Sequence, residues 1–119
     1  PDGTMIELKF DWDSVKTGNH YLEYAQSNDG GGKWVPSGFS VSLDEAELWV
    51  VINEDWMRFF RVKILKRFIS ENRSRLKRTR TRAGANRNRP GQLSKGYLIP
   101  FEELDRILIS KIASPIKRK

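Results

Sequence analysis

Alternating apolar and charged side chains mark the stretch Met5-Ile6-Glu7-Leu8-Lys9-Phe10, which is the strongest guide to the fold of this chain. Successive side chains of a β-strand point to opposite faces, so Glu7 and Lys9 share one face and the apolar residues share the other. A carboxylate beside an amine on a rigid strand suits metal-dependent phosphodiester chemistry. The carboxylate binds a hard divalent cation, and the lysine stabilises developing negative charge or positions the attacking water. The same tripeptide also occurs on solvated strand faces, as a weak ion pair.

Composition narrows the class of protein. The chain has 119 residues, a single histidine (His20) and no cysteine, which fits one domain with one core and excludes disulfides and cysteine-based zinc sites. No apolar run approaches the roughly 18 residues that span a membrane, and no secretory signal is visible. We therefore expect an intracellular protein with no membrane partner.

Charge is distributed unevenly along the chain. The net charge is +7 with a pI near 9.9, but residues 1–60 carry a net −7 and residues 61–119 a net +14. The acidic half holds the candidate metal site, and the basic half resembles a footprint for a polyanion. A metal-dependent nuclease needs both of these features.

A basic stretch lies at residues 73–95, and no acidic residue occurs between Glu71 and Glu102. Arginine binds phosphate through two parallel hydrogen bonds, so an arginine-rich stretch predicts contact with nucleic acid. With its glycines, the stretch predicts a flexible DNA-contacting loop; the other interpretation of such a run is a solvated segment. The candidate nucleic-acid-binding residues are Arg73, Arg75, Lys77, Arg78, Arg80, Arg82, Arg87, Arg89 and Lys95.

Periodicity predicts the remaining elements. Strands are expected at 4–10, 20–25, 48–52, 56–62 and 97–99, with a flexible glycine-rich connection at 28–32. Ser42 and Glu45 have the spacing of a capping box and predict a short helix to about residue 47. A further helix is expected from Lys63 to about Leu76. Pro100 suits the first turn of a closing helix, whose inner face comprises Leu104, Ile107, Leu108 and Ile112. The order favours an α/β (α+β) domain over 1–119, built on a mixed sheet.

Several short motifs occur in a fixed order: Ile6-Glu7-Leu8-Lys9-Phe10-Asp11, Thr17-Gly18-Asn19, Leu22-Glu23-Tyr24, Pro36-Ser37-Gly38 and Ala46-Glu47-Leu48-Trp49-Val50. This ordered set resembles the small phage and intron-encoded nucleases of the PD-(D/E)XK superfamily. The segment 96–100 and Leu104 resemble their last strand and closing helix. The resemblance implies a restriction-endonuclease-like mixed β-sheet flanked by helices. It also implies a Mg²⁺-dependent endonuclease that cuts DNA, of the homing-endonuclease or resolvase type, often as a homodimer. If a phage encodes it, we expect it in the host cytoplasm.

The resemblance also implies roles for individual residues. Glu7 is expected to be the second acidic metal ligand and Lys9 the catalytic lysine, with the carbonyl of Leu8 as a further ligand and Glu23 facing the site from a neighbouring strand. Asp2 is either the first acidic ligand or part of a Pro-Asp-Gly turn. If it is a turn residue, the first ligand, with a helix and a strand, is expected upstream of Pro1, and this chain by itself is expected to be inactive.

Some alternatives stay open from the sequence. Asp11 either shares the face of Glu7 and Lys9 or begins a loop, His20 is expected to be structural, and Trp34 is either partly buried or contacts DNA. The alternative function is a non-catalytic nucleic-acid-binding protein, for RNA or DNA, that uses the arginine-rich segment. Dependence on Mg²⁺ separates the two functions, because a simple binder does not need Glu7 and Lys9.

Overall fold

The computed structural model describes residues 5–42, 47–82 and 91–117. Its elements follow one another in this order: β1 (Ile6–Phe10), α1 (Ser14–Thr17), β2 (Asn19–Ser27), β3 (Val35–Pro36), α2 (Phe39–Ser42), β4 (Leu48–Ile52), β5 (Trp56–Arg61), α3 (Val62–Asn72), β6 (Lys77–Arg82), β7 (Leu93–Pro100), α4 (Phe101–Leu104) and β8 (Ser110–Ala113).

The first sheet has the strand order β1-β4-β5-β8. Strands β1 and β4 are parallel, with Glu7 in register with Trp49 and Lys9 with Val51, whereas β4, β5 and β8 are antiparallel. Such a sheet is mixed, as the sequence predicted. Strand β1 lies at one edge of this sheet and pairs with β4 on one side only.

The second sheet is antiparallel throughout and has the order β3-β2-β7-β6. Strand β2 carries a β-bulge between Glu23 and Ala25, close to where the turn after β3 crosses it. Gly38 in that turn has φ +54°, and a Cβ there would lie 2.6 Å from the carbonyl oxygen of Glu23. Glycine is therefore required by both the backbone conformation and the close approach.

The core lies between the two sheets and one face of α3. It contains Leu22, Tyr97 and Ile99 from the second sheet, Trp49, Val51 and Phe60 from the first, and Leu65 and Ile69 from α3. Phe39 meets Trp49 edge to face, with ring centroids 5.2 Å apart, a favoured aromatic geometry. Because these residues fix the inward face of each strand, they also decide which polar side chains lie beside the core.

Much of the predicted element order is confirmed. The α+β class is confirmed, since strands and helices share one core, although the strands form two sheets rather than one. Strands β1, β2, β4 and β5 and helix α3 occur where the periodicity placed them, with α3 ending at Asn72 rather than near Leu76. Among the described residues, no helix is both long and apolar enough to cross a membrane.

The prediction of a loop over 73–95 is wrong for residues 77–82 and 93–95, which form strands; residues 83–90 lie outside the described residues. Residues 77–82 form β6, which pairs with β7 over its whole length. The pattern Arg78-Thr79-Arg80-Thr81-Arg82 alternates with the period of a strand, and β-branched threonine favours that conformation. The absence of apolar residues concealed the strand, because an edge strand does not have to bury a hydrophobic face.

The predicted closing helix is also wrong beyond its first turn. Helix α4 ends at Leu104, and the chain turns back so that β8 pairs with β5. The N–H of Ile109 donates to the carbonyl oxygen of Phe59 at 2.7 Å, which fixes this return. Pairing with a sheet edge overrides the helical spacing of Ile107, Leu108 and Ile112. The helix predicted from Ser42 falls largely on residues 43–46, outside the described residues; α2 ends at Ser42.

Candidate nucleic-acid interface

Glu7 and Lys9 form an ion pair on the inward face of β1. The Lys9 Nζ lies 3.2 Å from a Glu7 carboxylate oxygen, and each side chain is about one-third exposed, 35% for Lys9 and 33% for Glu7. The Lys9 ammonium also lies 5.2 Å from the centroid of the Trp49 ring. The prediction that the two residues share a face is confirmed, and the inward face is the charged one.

The pair offers a cation one carboxylate that is about one-third exposed. Mg²⁺ commonly binds proteins through one or two carboxylates and keeps several waters, so Glu7 fits such an ion. Within the described residues, however, no three His, Cys, Asp or Glu side chains are grouped to hold a metal. Asp2 lies outside the described residues. The side chain of Leu8 is exposed on the opposite face, and a ligand role for its carbonyl stays a prediction.

Asp11 belongs to a different interaction. Its Oδ2 accepts a hydrogen bond from the backbone N–H of Tyr21 at 3.0 Å and lies 2.8 Å from Nδ1 of His20. The imidazole is buried and stacks on Phe101. Asp11 therefore holds the beginning of β2 and does not join the Glu7–Lys9 pair, which agrees with a structural His20.

Glu23 lies in a different sheet from the Glu7–Lys9 pair and makes a different contact. It lies on β2 in the second sheet and alternates with the core residue Leu22. Its Oε2 accepts a hydrogen bond from the hydroxyl of Ser37 at 2.7 Å. The contacts of this carboxylate thus hold the turn that leads into α2. Its expected catalytic role has no support in these contacts.

Strand β6 presents Arg78 and Arg80 on one face of the second sheet. Arg78 and Arg80 are exposed and stand in register with Tyr97 and Lys95 of β7. Because side chains alternate along a strand, Lys77 points to the opposite face. One face of this edge therefore carries a row of cations beside an aromatic ring.

The cations of this face stack on aromatic rings. Lys95 Nζ lies 4.1 Å from the centroid of Trp34, the Arg80 guanidinium carbon lies 5.2 Å from it, and that of Arg78 lies 5.6 Å from the centroid of Tyr97. Such contacts hold cations in place through the ring quadrupole. We call Trp34, Arg78, Arg80, Lys95 and Tyr97 the basic–aromatic face.

The glycine-rich connection orders Trp34. The Asp29 carboxylate accepts hydrogen bonds from the hydroxyl of Ser27 and from the backbone N–H groups of Gly32 and Lys33. The N–H of Lys33, followed by the hydroxyl of Ser27, holds the pKa of Asp29 below its usual value. Trp34 in turn donates its indole N–H to the carbonyl of Gly31 at 3.1 Å. The segment predicted to be flexible is therefore a hydrogen-bonded turn.

The other predicted basic residues are used differently. Arg73 is exposed after α3, whereas Arg75 pairs with Glu103 and donates to Asn72. The hydrogen bond between Arg75 and Glu103 raises the pKa of the arginine and lowers that of the carboxyl group. Arg82 is at the register position opposite Leu93. Arg87 and Arg89 lie outside the described residues.

Sequence reasoning missed the aromatic half of this surface. It treated Tyr97 as a short apolar strand and did not connect Trp34 with the arginines, because 43 or more positions separate Trp34 from Arg78, Arg80, Lys95 and Tyr97 in the chain. The arginine–threonine alternation was the one local signal that pointed to a strand at this position.

Comparison with known proteins adds no relative. No protein-family model, curated protein or solved structure matches this chain.

Proposed function

We propose that this protein binds nucleic acid through the basic–aromatic face. The observation that carries the proposal is that Arg80 and Lys95 stack on Trp34 and that, among the described residues, neither forms an ion pair. Cations that a protein does not neutralise internally are available to phosphates. The aromatic rings beside these cations offer stacking surfaces to bases. A net charge of +14 over residues 61–119 supports the same partner.

Salt dependence tests this proposal. We expect the protein to bind DNA with an affinity that falls steeply as the salt concentration rises, because each phosphate that a cation neutralises releases counterions. Replacing Arg78, Arg80 and Arg82 with Ala removes three cations from β6. This variant is expected to flatten the slope of log affinity against log salt by about one unit per lost contact.

A matched control separates local contacts from total charge. Replacing the exposed residues Lys16, Lys63 and Arg67 with Gln removes the same charge from α1 and α3. This control is expected to keep most of the slope. Equal slopes for the two triple variants would show that β6 is not the phosphate footprint.

We also propose a second function, Mg²⁺-dependent cleavage of DNA at Glu7 and Lys9. The specific observation is that the two side chains meet on one strand face and are each about one-third exposed. Glu7 would hold the cation, and the cation supplies charge stabilisation at the phosphate and an activated water. Lys9, held beside Trp49, would place an ammonium group where negative charge develops.

A plasmid-nicking assay with and without Mg²⁺ tests this second function. Glu7→Gln keeps the shape but removes the charged ligand. It is expected to lower cleavage more than the roughly 10- to 100-fold typical of groups that only support a ligand, and Lys9→Ala should act likewise with less effect on metal binding. Glu102→Gln, an exposed carboxylate on α4, is the control. Wild-type cleavage by Glu7→Gln leaves nucleic-acid binding as the function.

We propose a homodimer that pairs the outward face of β1. Ile6, Leu8 and Phe10 are each about half exposed on this edge strand, and contiguous exposed apolar side chains commonly mark interaction sites. Leu8→Lys, measured by sedimentation against wild type, is expected to yield a monomer. A monomeric wild-type protein at high concentration would contradict the dimer and leave the other two proposals intact.

A further inference from the structure

A groove of about 660 Å³ opens between the second sheet and helices α2 and α3. Its volume falls within the range of roughly 300–1,000 Å³ for small-molecule sites. It adjoins the basic–aromatic face, because Trp34, Arg78 and Tyr97 belong to both. The groove is therefore a depression in the surface to which we assign nucleic-acid binding.

The groove is lined by aromatic rings of two kinds. Phe39 and Tyr97 are buried and form its floor, whereas Tyr24 and Trp34 are only partly buried. The rings of Tyr24 and Tyr97 are 4.9 Å apart, and the indole N–H of Trp34 is bound by Gly31. Held rings of this kind provide stacking surfaces for a planar ligand.

Three cations border the same groove. Lys66 and Arg73 lie seven residues apart, about two helical turns, at the α3 side, and Arg78 lies at the β6 side. Arg78 donates to the carbonyl oxygen of Arg73 at 3.4 Å. Lys66 and Arg73 have no ion pair within the described residues, and none of the residues that line the groove is acidic. A ligand that is both planar and anionic complements this lining.

We propose that the groove binds a single unpaired nucleotide of the bound strand. The base stacks against Trp34 and Tyr24, and its phosphate meets Lys66, Arg73 and Arg78. A base inside a duplex is covered by its neighbours and paired with its partner, so its face is not free to stack on these rings. The protein therefore prefers single strands, frayed ends or extruded nucleotides. This inference rests on the proposed nucleic-acid binding and names its substrate class.

The test measures the affinity of the full chain for two ligands. One is single-stranded oligothymidylate, and the other is the duplex that this strand forms with oligoadenylate. Wild type is expected to bind the single strand about tenfold more tightly. Ser70→Trp fills the groove from α3, where Ser70 is exposed and lines it, and should remove this preference while duplex binding remains. Ser74→Trp, at an exposed position that does not line the groove, should keep the preference.

A second pair of variants covers the case in which Ser70→Trp does not fold. Lys66→Gln with Arg73→Gln, both at exposed positions, should weaken single-strand binding more than duplex binding. Equal affinity for both forms in wild type, unchanged by Ser70→Trp, overturns the groove proposal and leaves the proposed function standing. No binding of either form overturns both. Binding of polyglutamate that Ser70→Trp abolishes, with oligonucleotide binding unaffected, assigns the groove to an acidic peptide and overturns the nucleotide.

Discussion

Two clusters of cations in this protein stack on aromatic rings, yet only one of them is neutralised. In one cluster, the guanidinium carbon of Arg58, on β5 of the first sheet, lies 3.7 Å from the centroid of the Phe101 ring. The Arg58 side chain is 2.8 Å from the Asp105 carboxylate, and Lys111 of β8 bonds to the same carboxylate. Arg80 and Lys95 lie over Trp34 in the second sheet and, within the described residues, have no ion pair. Stacking is thus common to both clusters. Between these two clusters, the counter-charge separates Arg58, which is neutralised internally, from Arg80 and Lys95, which are available to a ligand.

The largest expected effect comes from breaking the neutralised cluster. Arg58 is 5% exposed, and Arg58→Met would leave Asp105 with Lys111 alone. Removing one partner of a buried ion pair typically costs about 3–5 kcal/mol. Because Asp105 stays partly exposed, we expect a loss near 3 kcal/mol in the free energy of unfolding, measured by urea denaturation. Nucleic-acid affinity at low temperature should be unchanged; weakened affinity without lost stability would place Arg58 in the interface.

A smaller effect follows from giving the basic–aromatic face a counter-charge of its own. Val35 is exposed next to Trp34 and lines the same groove. Val35→Glu should lower affinity for DNA about tenfold, or about 1.4 kcal/mol, because the new carboxylate pairs with nearby cations and repels phosphate. Val35→Gln is the control, because glutamine has nearly the same shape as glutamate and no charge. If it weakens binding as much as Val35→Glu, then shape rather than charge governs this position.

Acid should weaken the first cluster gradually. Partial burial raises the pKa of Asp105, but the hydrogen bond and charge of Arg58, with those of Lys111, outweigh it, so the pKa lies below its usual value. Its stabilising contribution is complete above the unfolded value of about 3.9 and is lost as pH falls through the folded value. Urea midpoints should therefore decline below about pH 4. The decline should be shallower in Arg58→Met, and equal declines would contradict the coupling.

The smallest effect is expected at Arg75. This arginine lies in the same basic stretch but pairs with Glu103, so Arg75→Gln should change DNA affinity less than about twofold. Arg80→Gln, with the same loss of charge, should weaken it severalfold. Similar losses in filter-binding titrations of the two variants would mean that internal pairing does not govern which arginines bind.

The sequence predicted the elements whose local pattern coincides with their environment. The run 48–52 is continuous and apolar, and it became β4, buried on both faces. The spacing of Leu65, Phe68 and Ile69 predicted α3. The prediction of the closing helix failed because the apolar residues have helical spacing locally, whereas the segment pairs with the edge of β5 instead. Pairing with a distant strand cannot be read from the local sequence.

The candidate site was predictable in part. The shared face of Glu7 and Lys9 follows from alternation alone, and the basic stretch follows from counting charges. The expectation that Glu23 joins them did not follow, because β2 belongs to the second sheet and Ser37 takes its carboxylate. Membership of a sheet depends on pairing between distant segments, which a local pattern does not encode.

By itself, the sequence determined the α+β class, the alternating faces of β1 and the excess of positive charge in the second half of the chain. These properties depend on neighbours a few residues apart and on composition. The tertiary structure alone decided that β1 turns its charged face inward, that Asp105 neutralises Arg58, and that Trp34 meets Arg80 and Lys95. Each of these contacts joins segments about 40 to 61 positions apart, and only the packing of two sheets on one core brings them within a few ångströms.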